Sequence, residues 1–192
     1  MPTPVQPWVE LLALLIAAGD GFSGWSSLND TVMGGRSQGS CRISSDGLLM
    51  EANVVAAGGG FVSCRSPRWQ PALNLSGASA IELSLEADGR RYKLALAPAD
   101  LAGRIGDLLP GGLRWVSDFD TSPGGVTTVR IPFTELRPTV RATPVGLPLQ
   151  FDPSRVAQIQ ILHSRFAEDG SENPGFKEGP LRLLVRKLEA VQ

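Results

Sequence analysis

The residues able to do acid–base chemistry are one histidine, His163, and a scatter of carboxylates, of which Asp88, Asp118, Asp120, Glu168 and Asp169 lie near apparent strands. Two carboxylates meeting across a sheet face is the arrangement that hydrolyses a glycosidic bond. No spacing in the chain brings a particular pair together, and most such residues solvate loops. A lone histidine after an apolar strand, as in Ile161-Leu162-His163-Ser164-Arg165-Phe166, is more often a hydrogen-bonded structural residue than a base. Gly21-Phe22-Ser23-Gly24-Trp25 misses the nucleophile elbow because its second glycine is misplaced. Gly58-Gly59-Gly60 lacks the Lys-Ser/Thr of a phosphate loop, and no helical pattern follows it. The residues name no catalytic group, no cofactor and no metal site, and the chain reads as a non-enzyme.

Cys41 and Cys64 are the two cysteines, too few for a stapled scaffold and without the grouping that zinc requires. Both lie in apparent strands and could approach one another; two buried thiols in a reducing compartment is the favoured reading. The 18 basic and 19 acidic residues nearly cancel. Arg90, Arg91 and Lys93 form the one tight basic cluster of the first half, so the stripe that a nucleic-acid backbone demands is missing.

These side chains need elements to position them. Trp8, Leu11, Leu12, Leu15 and Ile16 fall at helical spacing, which predicts a short amphipathic helix over residues 1–19, packed on or beside the domain. The apolar run is too short to span a membrane. It also lacks the basic residues of a secretory signal, a transit peptide or a membrane-surface helix.

After Gly19 the period changes to two. Ile81-Leu83-Leu85, Tyr92-Leu94-Leu96, Val129-Ile131-Phe133, Ile159-Ile161 and Leu181-Leu183-Val185 alternate with polar residues, the mark of half-buried antiparallel strands. Residues 48–55, 60–65 and 113–119 are further candidates, and 98–109 suits a short helix. Eight or nine strands broken by Gly, Pro, Asp and Ser predict one all-β sandwich over 20–192. A chain of this length buries roughly 70% of its unfolded surface without staples.

One segment stands out, Trp25-Ser-Ser-Leu-Asn29-Asp30-Thr31-Val32-Met33-Gly34-Gly35-Arg36-Ser37. It resembles the opening motif of the complex I intermediate-associated protein family. Gly59-Gly60-Phe61-Val62-Ser63-Cys64-Arg65, Asp88-Gly89-Arg90-Arg91-Tyr92 and Ile131-Pro132-Phe133 with Arg137-Pro138-Thr139 are similar to later family segments. So are Asn173-Pro174, Phe176 and Gly179-Pro180-Leu181. The resemblance implies a galactose-binding-like jelly roll, two antiparallel sheets, and a non-enzymatic assembly factor. Such a factor binds protein subunits of a membrane electron-transfer complex under assembly. It would be cytoplasmic, or peripheral on the cytoplasmic face of an energy-transducing membrane.

Asn29, Asp30, Met33, Arg36, Arg65, Arg90, Tyr92, Trp115, His163 and Arg165 are the candidates for contacting a partner or ligand. The first motif reads two ways: a demanding turn that closes the sandwich, or a surface presenting Asp30, Arg36 and Arg65. The fold analogy also suggests a carbohydrate-binding module, with Trp69, Tyr92 and Trp115 as a stacking platform or as core.

Overall fold

The computed structural model describes residues 13–99 and 112–192. Among them are thirteen strands: β1 (Leu14–Ala18), β2 (Ser26–Ser27), β3 (Gln38–Ser44), β4 (Gly47–Val54), β5 (Phe61–Arg65), β6 (Ala80–Glu86), β7 (Arg91–Pro98), β8 (Leu113–Asp120), β9 (Thr127–Pro132), β10 (Arg137–Val140), β11 (Thr143–Pro144), β12 (Val156–Ser164) and β13 (Gly179–Val191). They form two antiparallel sheets. One runs β3-β4-β13-β6-β9, with β1 also on β13; the other runs β11-β10-β8-β7-β12-β5-β2.

The alternating runs become the facing surfaces of this sandwich. Ile81, Leu83 and Leu85 meet Leu181, Leu183 and Val185 of their own sheet and Tyr92, Leu94, Leu96, Ile159 and Ile161 of the other, all within one core. Each fully buried Leu or Ile side chain contributes about 1.5–3 kcal/mol of transfer free energy. Strand β7 departs from alternation: from Tyr92 to Pro98 every residue is buried, so both of its faces are covered.

The helix expected over residues 1–19 is not what forms at its described end. Leu14–Ala18 is a strand, pairing with Lys187, Leu188, Glu189 and Ala190 of β13. The reason is long-range. Strand β4 occupies β13 only from Gly179 to Val185, and β1 takes the vacant edge beyond it. Pairing with an open edge outweighs a local helical period. Trp8, Leu11 and Leu12 lie outside the described residues. So does nearly all of the helix expected over 98–109; Pro98 itself ends β7.

The cysteines read as separate thiols are joined. Cys41 of β3 and Cys64 of β5 form a disulfide with Cα atoms 5.8 Å apart, tying an edge strand of one sheet to the other sheet. Both belong to or pack against the core, and the sandwich brings them together from 23 residues apart. In a reducing compartment the same pair would be thiols. Reducing the bond, or combining Cys41→Ser with Cys64→Ser, is expected to lower stability by about 3 kcal/mol through restored loop entropy in the unfolded chain. Urea melts with and without a dithiol reductant check this.

Candidate functional site

The first motif folds around one carboxylate. Residues Asp30–Met33 make a 3-10 turn ended by Gly34 at φ 87°, a left-handed conformation that suits glycine. The Asp30 side chain is fully buried. Its Oδ1 accepts from the Ser37 amide at 2.9 Å. Its Oδ2 accepts from the Ser37 hydroxyl at 2.6 Å, the Gly60 amide at 2.6 Å and the Phe61 amide at 3.3 Å. Burial alone pushes this carboxyl up, and the bonds from Ser37, Gly60 and Phe61 outweigh it, holding the pKa below its ordinary value.

The glycines of two motif segments follow from that approach. A Cβ at Gly35 would stand 2.3 Å from the Asp30 carboxyl carbon, and one at Gly59 would stand 2.5 Å from its Cβ. Asn29 adds a bond from Nδ2 to the Gly39 carbonyl at 3.0 Å. The turn is therefore clamped from within, and it holds outward what remains. Val32 and Met33 are 65% and 64% exposed, and Arg36 beside them is exposed.

A second buried node joins the later segments. Arg90 pairs with Asp88 and donates to the carbonyls of Lys177 at 3.4 Å, Glu178 at 3.4 Å and Pro180 at 2.9 Å. The Tyr92 hydroxyl donates to Asp88 Oδ1 at 2.9 Å; burial, then Asp88, raises its pKa. His163 stacks on Phe176 with ring centres 5.3 Å apart and lies 5.4 Å from the Tyr92 ring. Burial lowers its pKa, so the ring is neutral near pH 7 and Nδ1–H donates to the Arg91 carbonyl at 2.9 Å. Asn173 Nδ2 donates to the Ser164 carbonyl at 2.9 Å. Gly175 is required beside it, because a Cβ there would stand 2.5 Å from that of Arg91.

The ten candidates thus divide. Asp30, Tyr92 and His163 are fully buried, and Trp115 and Arg90 nearly so, although Arg90 lines one surface groove and Trp115 another. The surface reading of Asp30 is corrected by Ser37, Gly60 and Phe61, which close over it. Asn29, Arg65 and Arg165 are partly exposed, Met33 and Arg36 openly so. Arg165 pairs with Glu172 at 2.8 Å. Val32, which the residue pattern did not mark, joins Met33 as the apolar tip; its only signal was an apolar pair inside a turn motif.

No three-ring platform exists either. Tyr92 and Trp115 point into the core, and Trp69 packs against it. Of the five carboxylates, two are taken up by arginines, while Asp118, Glu168 and Asp169 lie close enough to act on one another. Asp88 serves Arg90, and Asp120 takes a bidentate pair from Arg91 at 2.7 Å through both oxygens. Asp118 and Glu168 are neighbours, each accepting from the other's backbone amide. Among the described residues, no three His, Cys, Asp or Glu side chains are grouped as metal ligands.

Comparison with solved structures recovers this sandwich. The family 11 carbohydrate-binding module of the cellulosomal cellulase Lic26A-Cel5E of Clostridium thermocellum is similar at TM-score 0.65 and 15% identity, over 95% of this chain and 96% of the module. A family 11 module from the same organism, in complex with a β-1,3-1,4-mixed-linked tetrasaccharide, is similar at TM-score 0.62 and 16% identity, over 93% and 95%. The agarase AgWH50C matches at TM-score 0.53 and 12% identity, over 93% of this chain and 24% of the enzyme. At such identities the likeness is one of fold. No curated protein matches the chain. The family model for complex I intermediate-associated protein 30 matches residues 15–185, a stretch that contains both buried nodes and the tip they hold, and the chain belongs to that family.

Proposed function

We propose that this chain is a non-enzymatic assembly factor that binds a subunit or subcomplex of a membrane electron-transfer complex while that complex is incomplete. Family membership supports an assembly-related role. The observation that carries the docking surface is the tip itself: two large apolar side chains, Val32 and Met33, more than half exposed on a turn whose backbone is clamped by a buried carboxylate. A flexible loop would lose ordering entropy on binding, whereas a clamped one has little left to lose.

The magnitude suits a temporary contact. Covering Val32 and Met33 yields about 3–5 kcal/mol of apolar burial, enough to anchor a small interface and too little to compete with a mature one of standard size. Met33 adapts its shape to what it meets, and the Arg36 charge beside it orients a partner carrying acidic groups.

The test is recovery of partners by tagged chain from gently solubilised native membranes and from the soluble fraction, read by mass spectrometry. The parent chain is expected to bring down subunits of one incompletely assembled electron-transfer complex. Val32→Asp combined with Met33→Asp is expected to reduce that recovery at least about tenfold, the loss corresponding to one to two kcal/mol, with an unchanged melting temperature. Recovery of mature complex alone, or undiminished recovery by the double variant, refutes the reading.

A further inference from the structure

The turn that carries Val32 and Met33 is tied to the sandwich by bonds rather than by apolar packing. From Ser26 to Ser40 no side chain belongs to or packs against the hydrophobic core, and Cys41 is the first residue after Trp25 to reach it. The incoming side of the turn is hydrogen-bonded to β5. Ser26 and Ser27 pair with Arg65 and Cys64, and the Leu28 amide donates to the Ser63 carbonyl at 3.1 Å. The outgoing side leads into β3, which belongs to the other sheet and is its edge strand, next to β4.

Two ties join that outgoing side to β5, at matching positions. Asp30 makes the first, accepting from Ser37 on one side and from Gly60 and Phe61 on the other. Four residues further along each segment, counted from Ser37 and from Gly60, Cys41 and Cys64 make the second. Because Ser27 stands opposite Cys64, the disulfide closes residues 27–41 into a ring that includes the apolar tip. The Ser37 hydroxyl also bonds the Val55 backbone, accepting from its amide at 3.0 Å and donating to its carbonyl at 3.2 Å, so the outgoing side stays with the end of β4. What the sulfur bond adds is its placement against β5, across the two sheets.

The bond is open to exchange from one side. Cys64 is 1% exposed, whereas Cys41 is partly exposed on its edge strand. A dithiol reductant attacks Cys41 Sγ through its thiolate and breaks the S–S bond, and Cys64 leaves as a thiolate that takes up a proton. The second thiol of the reductant then attacks the mixed disulfide and releases Cys41 as a thiol. The protein gains two electrons and two protons, and the dithiol becomes a disulfide. With Cα atoms 5.8 Å apart, the pair is placed to close again without backbone movement.

We propose that the Cys41–Cys64 disulfide is a redox control on the Val32–Met33 docking surface: the oxidised chain holds the turn still and binds its partner, and reduction by a dithiol loosens the turn and releases it. This control rests on the docking reading given above. A turn with no side chain in the core depends on its ties for order. Reduction leaves the carboxylate clamp to hold the outgoing side against β5, and the freedom the tip regains must be surrendered again on binding.

The experiment compares the full chain oxidised, reduced with dithiothreitol and desalted without air, and as Cys41→Ser with Cys64→Ser. Backbone 15N relaxation reports order at Thr31 to Gly35. Order parameters there are expected to fall from about 0.85 when oxidised to below about 0.6 when reduced, with Leu94 and Ile161 unchanged. Partner recovery by the tagged chain from gently solubilised native membranes is expected to drop at least about fivefold on reduction and to return on reoxidation. The return marks a control and not mere damage, and the parent alone decides if the double variant fails to fold. Equal recovery by oxidised and reduced chain, or a tip whose order ignores reduction, would overturn the control and leave the docking reading standing. No partner recovered by the oxidised chain would overturn the docking reading and the control with it.

Discussion

Asp30→Asn is expected to lower unfolding free energy by about 3–5 kcal/mol, the scale found when a buried charge network loses one partner. The substitution changes almost no volume, so the loss is one of chemistry. Asp30 accepts at both oxygens, from one donor at Oδ1 and from three at Oδ2. An asparagine must turn its NH2 toward one of those sets, setting donor against donor in a site closed to water. With whole-domain stabilities of about 5–15 kcal/mol, that is a large share. Urea melts give the value, and a loss under about 1 kcal/mol would show that the four bonds do not hold the turn.

The acid limb carries a second signature. The folded pKa of Asp30 lies below the ordinary value, so its ionised form stabilises the native state. That contribution is complete above the ordinary carboxylate pKa and is lost as pH falls through the lower, folded one. Asp118 and Glu168 are shifted the other way, so their ionisation opposes folding as pH rises past the ordinary carboxylate range. The difference between parent and Asp30→Asn cancels those groups, and the stability gap should narrow only at the acidic end.

Arg90→Met should be comparably damaging, at about 3–5 kcal/mol. The guanidinium is almost fully buried, neutralises Asp88, and satisfies carbonyls of the segment leading into β13. Removing it leaves a carboxylate beside the buried Tyr92 ring and three carbonyls short of a donor. Its neighbour supplies the control. Arg91 makes a better-aligned pair with Asp120, but that carboxylate is 71% exposed, and exposed pairs contribute about 0–1 kcal/mol. If Arg91→Met proves as damaging as Arg90→Met, burial is not what makes the second node matter.

Much of this architecture is legible in residue order, for reasons that particular strands make plain. Tyr92 alternates with Leu94 and Leu96 and enters the core with them; Ile81, Leu83 and Leu85 do the same. His163, alone in its chain, is a hydrogen-bonded structural residue. What residue order conceals is partnership at a distance. Asn29-Asp30 has the chemistry of an ordinary exposed turn, and only Gly60 and Phe61, some thirty residues on, turn Asp30 into a buried clamp. Leu15 and Ile16 keep a helical period until β13 offers them an edge. Cys41 and Cys64 carry no local sign of their pairing, since two strands in different sheets must cross before the sulfurs meet. Lys93 looks like the outward residue of any amphipathic strand, yet it is buried, and Glu168 and Asp169, whose charges act on it, arrive some seventy-five positions later.

The placement of β13 has a consequence for how this protein comes into being. That strand pairs with β1, β4 and β6 and occupies the middle of its sheet, yet it follows every other strand in the chain. During synthesis β4 and β6 emerge with apolar faces and no partner between them, and they wait for about two thirds and about half of the chain, respectively, to be added. Such non-local closure is slow and leaves adhesive edges open. A protein proposed to bind others while they are unfinished therefore passes through an unfinished condition of its own, and the newly synthesised chain, before β13 has docked, is the form in which substitutions in β13 should first reveal themselves as aggregation.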